Sequence, residues 1–404
     1  MKRIYEIACL GVLSRVLCLL LGLVSHSGMN LEFQRNTILL GNSSERTWVY
    51  HLLSPFLQWD GLHFLNIALR GYDSVLEHAF FPGLPLIMRA FSQLLTGYYL
   101  EPHFALAISG ILFVQISFVL GAVGLYRLSI YFLADERRAY RATLFYVFAS
   151  CNIFMSALYT ESPFSMLTFW GLYWLYARNN LMLSSLLLAC AGLFRSNGLL
   201  GIIFIVHYSL SRGVDLFRGL MASLSVYLPY YLYSTWSRNM YCELTPTPHE
   251  WCASHNSIYG YIQKQFWGVS LFSYWRMDNI GYFLLMLPTL VVALHAPYYY
   301  LLDLMKQGRV LSFRSWTISN KRFPFLLQMG ILTAFTVFIA NCQILTRILS
   351  SCPLYFWTLE NISFDDGKNS KPWRSRLMAR AILGAHFSYY LVGPLIFSNG
   401  LNWT

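Results

Sequence analysis

The sequence predicts an all-α protein that crosses a membrane many times, and three observations carry that expectation. Hydrophobic residues make up 56% of the 404-residue chain and charged residues only 12%, with a mean hydropathy of +0.46. An ordinary soluble domain has about 25% charged residues. Apolar runs recur from one end of the chain to the other, about eleven of them, and Lys and Arg concentrate in alternate connections, as the positive-inside bias requires.

The runs lie near 7–24, 104–126, 143–160, 163–177, 181–193, 199–210, 216–233, 281–302, 324–341, 343–360 and 379–397. The first follows Lys2 and Arg3 and holds one internal charge, Arg15. No small-x-small site follows it cleanly, so it reads as an uncleaved signal anchor. Several later runs fall short of the roughly 20 residues that cross the hydrocarbon, so the pairs around Arg178 and Arg195 read as broken helices or re-entrant segments. Segment 80–95 is apolar enough to enter the bilayer, but Pro82, Pro85 and Arg89 equally fit a helix that lies at the interface or re-enters. It is assigned as non-spanning, because a span there would carry the later basic loops to the wrong side.

With the N-terminus in the cytosol, the cytosolic connections hold Arg127, Arg137, Arg138 and Arg141, then Arg178, then Arg212 and Arg218. Lys306, Arg309, Arg314, Lys321 and Arg322 follow, and finally Lys368, Lys371, Arg374 and Arg376. The formal charge of +11 is therefore mostly topological, with attraction to anionic headgroups second, and no nucleic-acid partner is expected. The chain reads as one multi-pass domain, 1–404, with two long non-cytosolic loops, 25–80 and 234–280. Asn42-Ser43-Ser44 matches the N-glycosylation pattern, as do Asn361-Ile362-Ser363 and Asn402-Trp403-Thr404; use is expected at Asn42 only, since the acceptor must be lumenal and clear of the membrane. Cys242 and Cys252 read either as a disulfide of an oxidising compartment or as two thiols. Cys9, Cys18, Cys151 and Cys190 sit in apolar runs and read as packing residues.

The chemistry concentrates in Gln58-Trp59-Asp60-Gly61-Leu62-His63-Phe64, followed by Ala79-Phe80-Phe81-Pro82-Gly83-Leu84-Pro85. If 57–70 is helical, Asp60 and His63 share a face, and so do Trp59 and His63. An ionisable pair framed by aromatics at a membrane surface is a candidate functional site, suited to activating a hydroxyl beside a lipid-borne substrate. Asp60 reads as a general base or as a helix N-cap. His63 reads as a group that orients Asp60, as a phosphate ligand, or as an interfacial histidine packed on aromatics. Glu161, Arg195 and Arg347 stand at the non-cytosolic ends of apolar runs. The planar fork of arginine suits a lipid-linked phosphate; snorkelling to headgroups explains the same positions, and Glu161 reads as a partner for one of them. No acids are spaced like metal ligands, and Asp365-Asp366 reads as a solvated turn.

Taken together these motifs resemble the PIG-V family, the GPI mannosyltransferase II enzymes. The matching blocks are Trp59-Asp60 with His63-Phe64, Ala79 to Gly83, Leu158-Tyr159-Thr160-Glu161-Ser162, Arg195-Ser196-Asn197-Gly198, Gln265 to Val269 with Tyr274-Trp275, Asn341 to Ser351, and Phe397-Ser398-Asn399 with Trp403-Thr404. Thr160 and Pro163 depart from the family's Ser-Glu-Ser-type step. The resemblance implies a GT-C glycosyltransferase of the endoplasmic reticulum membrane, with lumenal loops carrying the active site. It implies α1,6 transfer of the second mannose of the GPI precursor from dolichyl phosphate mannose, with inversion and no cofactor or metal. Asp60 and His63 are then the catalytic candidates, and Trp59, Glu161, Arg195, Asn197, Gln343 and Arg347 the substrate-binding ones. Fungal members work with a small membrane partner protein, so such a partner belongs to what the resemblance implies. Two other readings stay open: a mannosyltransferase of the same class with another acceptor, and a lipid transporter or scramblase, although the internal symmetry common in transporters is not visible.

Overall fold

A backbone placed in hydrocarbon must satisfy its own hydrogen bonds, which leaves helices and closed barrels as the available structures. The computed structural model describes residues 2–29, 48–95, 100–245, 249–254, 257–306, 317–364 and 373–403, and among them there are helices and turns and no strand. The helices are, in order, α1 (Lys2–Met29), α2 (Trp48–Leu53), α3 (Asp60–Arg70), α4 (Gly83–Leu95), α5 (Pro102–Leu133), α6 (Glu136–Val147), α7 (Glu161–Tyr176), α8 (Leu181–Gly192) and α9 (Gly201–Arg212). They continue as α10 (Leu216–Cys242), α11 (Trp251–Ser254), α12 (Ile258–Gln265), α13 (Ile280–Lys306), α14 (Phe323–Phe338), α15 (Leu345–Leu349), α16 (Pro353–Ser363) and α17 (Trp373–Phe397). Among the described residues three stretches, Lys2–Gly28, Pro102–Leu133 and Met277–Leu302, are long and apolar enough to cross a bilayer. The all-α, multi-pass membrane character read from composition is the character of the fold.

The boundaries correct several expectations. The run 143–160 is not one helix: α6 stops at Val147, a 3-10 turn follows at Asn152–Met155, and α7 starts at Glu161. The run 343–360 is likewise divided, between a 3-10 turn at Cys342–Ile344, α15 and α16. The loop expected from 234 begins only after Cys242, because α10 continues to that residue. Helix α4 has 13 residues, a length of about 20 Å, short of the ~30 Å hydrocarbon. Asn42 and Asp365-Asp366 lie outside the described residues.

Helix α5 is the hub, packed against α1, α4, α6 and α7. A Cβ on its Gly121 would stand 2.7 Å from the hydroxyl of the buried Tyr146 side chain of α6, which would have to shift to admit it. Arg15, the one charge inside the first run, explains the break after α6. Its guanidinium is buried at 2% exposure. Nη1 donates to the Asn152 carbonyl at 3.0 Å and to Ser156 Oγ at 2.7 Å, and Nη2 donates to Asn152 Oδ1 at 2.5 Å. Ser14 Oγ donates to the Val147 carbonyl at 2.6 Å. Side chains of α1 thus take up carbonyl groups that the interrupted helix leaves open.

The two ends of the bundle differ in charge. At one end Lys321 Nζ meets the Tyr131 hydroxyl at 2.7 Å, Arg322 donates to the Phe132 carbonyl at 3.2 Å, and Arg138 and Arg141 converge on Glu360. Near the middle of α5, the Gln115 amide donates to the Ser156 carbonyl at 2.6 Å. Roughly 24 Å of helix separates Gln115 from Tyr131. Among the described residues, Arg138, Arg141, Lys321 and Arg322 thus lie together at one end of the bundle. Cys242 and Cys252 form a disulfide, with Cα atoms 5.7 Å apart. Beside it Trp251, Ile258 and Ile262 make a small second core against Val75, Leu76 and Ala79.

The polarity is testable with single cysteines at exposed sites. In sealed microsomes with the cytosolic face outward, an impermeant maleimide is expected to label Arg137→Cys at once and Lys264→Cys only after detergent. The reverse order would invert the bundle.

Candidate active site

At the end away from the basic loops, three stretches distant in sequence meet around one carboxylate. Helix α7 begins at Glu161, just ahead of the apolar stretch 163–177, and this side chain is 1% exposed. Arg195, at the turn between α8 and the 3-10 segment Ser196–Leu200, places Nη1 2.8 Å from Glu161 Oε1. Arg347 of α15 donates from Nε to the same oxygen at 2.8 Å. Burial penalises an ionised carboxylate, and the two guanidiniums more than offset that penalty. Arg347 also donates from Nη2 to Asp60 Oδ2 at 3.1 Å, so the chain of charges runs Arg195, Glu161, Arg347, Asp60 and sums to zero.

The two acids are not equivalent. Asp60 is 35% exposed on its side chain, and its Oδ1 stands outside the ion pair with Arg347, whereas Glu161 is sealed in. Asp60 is the first residue of α3, and Trp59, not Asp60, occupies the N-cap; no side-chain cap bond is made there. The capping reading of Asp60 fails on that geometry, as does the snorkelling reading of the arginines, which turn inward at 20% and 16% side-chain exposure. The Arg347 guanidinium lies 4.3 Å from the centre of the Phe154 ring and 5.1 Å from that of Tyr159, a cation–π setting that strengthens where water is excluded.

The other expected residues surround this cluster with different partners. The helix expected from 57 starts at Asp60, so Trp59 precedes it with φ 54° and ψ −119°, a backbone region costly for a residue with a side chain. His63, one turn along α3, stacks on Phe80 at 4.7 Å, and Phe80 meets Trp267 edge-on. Among the described residues no hydrogen bond joins His63 to Asp60, so the expectation that it orients this carboxylate is corrected to ring packing. Gln343 Oε1 accepts from the Tyr274 hydroxyl at 3.1 Å, one turn before Arg347. Asn197 sits half-buried two residues past Arg195. Behind the aromatic wall, His78 is buried among Tyr72, Tyr233, Trp236 and Tyr241, and burial pushes its imidazole down to about 4. Among the described residues no three His, Cys, Asp or Glu side chains gather as metal ligands do.

Sequence reasoning missed Tyr159 and Phe154, whose rings carry Arg347. Tyr159 stands inside the Leu158 to Ser162 block, two residues before Glu161, and its place beside a buried acid was the available signal. The cluster can take a proton at an open carboxylate and hold an anion between two arginines, with both functions linked through Arg347.

Glu161→Gln keeps the shape and removes the charge that holds both arginines. Breaking a buried pair typically costs ~3–5 kcal/mol, so the variant is expected to melt well below wild type in detergent, whereas Asp60→Asn, half-exposed, is expected to melt near it. Equal melting temperatures for the three proteins would count against the network.

A model of the family described as Mannosyltransferase (PIG-V) matches residues 4–404. The GPI alpha-1,6-mannosyltransferase 2 of Rattus norvegicus is 31% identical over 359 residues, which cover 76% of this chain and 73% of that protein. The GPI mannosyltransferase 2 of Yarrowia lipolytica is 31% identical over 320 residues, covering 77% and 80%. Among solved structures, the apo crystal structure of the Archaeoglobus fulgidus oligosaccharyltransferase is similar at a TM-score of 0.47 and 10% identity, over 96% of this chain and 56% of that one.

Proposed function

The chain belongs to the PIG-V mannosyltransferase family and is a membrane glycosyltransferase; on that premise we propose that it adds the second mannose, in α1,6 linkage, to the GPI-anchor precursor on the lumenal side of the endoplasmic reticulum. The donor is dolichyl phosphate mannose, and the GT-C architecture implied by family membership suits a helix bundle with its site at one end. The observation that carries the reading is Arg347 bridging Asp60 and Glu161.

The donor sugar is β-linked to phosphate and the product is α-linked, so one inverting displacement is enough. The acceptor oxygen bonds to the anomeric carbon as the bond from that carbon to the phosphate oxygen breaks. The acceptor's hydroxyl proton passes to Asp60, and the electron pair leaves with dolichyl phosphate. Asp60 then loses its negative charge while the leaving phosphate gains one. Arg347 faces both, so its positive charge turns from the aspartate to the phosphate as the reaction proceeds, and Arg195 supplies a second guanidinium at the same edge. Charge placed where it develops in the transition state is the usual largest source of rate. The leaving group brings its own phosphate, and the two arginines do the work that a metal does in many nucleotide-sugar enzymes. Trp59, His63, Asn197 and Gln343 line the approach for the two lipid-linked substrates. Asn42 is the expected glycosylation site, and a small membrane partner protein is the expected companion.

Asp60→Asn keeps the size and removes the proton acceptor. Turnover in a mannose-transfer assay with dolichyl phosphate mannose and a panel of lipid acceptors is expected to fall by about 10²-fold or more, with the folded amount unchanged; near-normal turnover would remove Asp60 as the base, and transfer to a different acceptor would reassign the substrate.

Arg195→Lys and Arg347→Lys keep the charge and lose the fork. Both are expected to raise the donor KM or lower kcat, and unchanged values in both would remove the arginines from phosphate binding.

A further inference from the structure

We infer that Tyr159 is a positioning residue for the proposed reaction, and that its hydroxyl latches the strained Trp59 turn so that Asp60 is held against Arg347. The inference rests on Asp60 being the base. Tyr159 is 1% exposed and uses its hydroxyl in both directions. The oxygen accepts the backbone N–H of Asp60 at 3.1 Å, and the proton is donated to the Gln58 carbonyl at 3.3 Å. These two groups flank Trp59, the residue whose φ is 54°. A positive φ at a tryptophan is strained and persists only where its surroundings impose it.

The surroundings here are identifiable, beginning with backbone bonds from Gly61 N–H to the Gln58 carbonyl and from Leu62 N–H to the Trp59 carbonyl, each 3.1 Å. Leu158 N–H donates to the Phe56 carbonyl at 3.0 Å, which zips the segment before Glu161 to the segment before Asp60. The Gln58 side chain is spent on the Ser54 carbonyl at 2.9 Å. Trp59 makes no side-chain cap bond, so the Tyr159 hydroxyl is the side-chain group that holds the peptide of Asp60. Its ring lies beside Arg347 at 5.1 Å and is fixed from behind by Phe154 and Phe397. One residue thereby sets both partners of the ion pair: the backbone that carries the acid and the cation that faces it.

Tyr159→Phe removes the hydroxyl and keeps the ring. The expected result is at least a tenfold fall in kcat with donor KM within threefold of wild type. Because the latch acts through Asp60, the double variant with Asp60→Asn is expected to be no slower than Asp60→Asn alone. Phe397→Leu disturbs the same ring and leaves the hydroxyl bonds in place, so it is expected to lower kcat less than Tyr159→Phe does. A Tyr159→Phe enzyme with kcat within twofold of wild type overturns the inference while the base assignment stands. Multiplying losses in the double variant overturn it too, as does a variant that yields no folded protein, since either makes the hydroxyl a general brace. Near-normal turnover in Asp60→Asn removes the base and the latch together.

Discussion

The structure depends on a carboxylate that cannot stay ionised where it is unless two arginines come to it. Glu161 is sealed at one end of a helix, and its partners arrive from 34 and 186 residues away along the chain, as the difference between positions 161, 195 and 347 shows. An isolated buried charge is so unfavourable that the fold in which the three meet is set apart from compact alternatives in which they do not. That requirement orders everything near it. Once Arg347 is drawn to Glu161, its remaining nitrogen reaches Asp60, and the first loop is tied to the last third of the chain. The proposed catalytic geometry and the specificity of the fold are then one interaction read at two scales.

A second buried cation does for the architecture what Arg347 does for the site. Arg15 meets carbonyl and hydroxyl oxygens rather than a carboxylate among the described residues, and in doing so it stabilises the irregular backbone between α6 and α7. That irregular stretch ends at Tyr159, Thr160 and Glu161. An apparently misplaced charge in the first apolar run therefore supports, from one layer further in, the segment that delivers the central acid. Its guanidinium lies 3.6 Å from the Phe118 ring of α5, so the hub helix shares in holding it.

The residues of the candidate site were legible in the sequence, and so was the all-α membrane character of the fold, but not the boundaries of its helices. Asp60, Glu161, Arg195 and Arg347 stood out because a charge at the margin of an apolar run has few structural excuses. Their pairing was not legible, since it depends on contacts between distant segments. Snorkelling and phosphate binding looked alike until the arginines were seen to turn inward. Tyr159 was one of 28 tyrosines, marked only by its place two residues before Glu161. The apolar runs at 143–160 and 343–360 misled because hydropathy registers the cost of polar side chains and not the fate of backbone groups. Where Arg15 or a 3-10 turn takes up the carbonyls, an apolar run can be interrupted without any mark in its composition. The grouping of Arg138, Arg141, Lys321 and Arg322 was legible for the converse reason: a basic residue beside an apolar run marks a connection without any tertiary contact.

The disulfide between Cys242 and Cys252 adds a dependence on the chemistry of the surroundings. It closes the end of α10 on the small core that supports Val75, Leu76 and Ala79, and Phe80, the next residue, is the ring on which His63 stacks. The aromatic wall of the site is therefore braced by a bond that forms only under oxidising conditions. A chain held among reduced thiols lacks that covalent brace while the ion pairs of Glu161, Arg195, Arg347 and Asp60 need no oxidant. The support of the His63–Phe80 stack is thus tied to the redox state of the compartment, and the charged cluster is not.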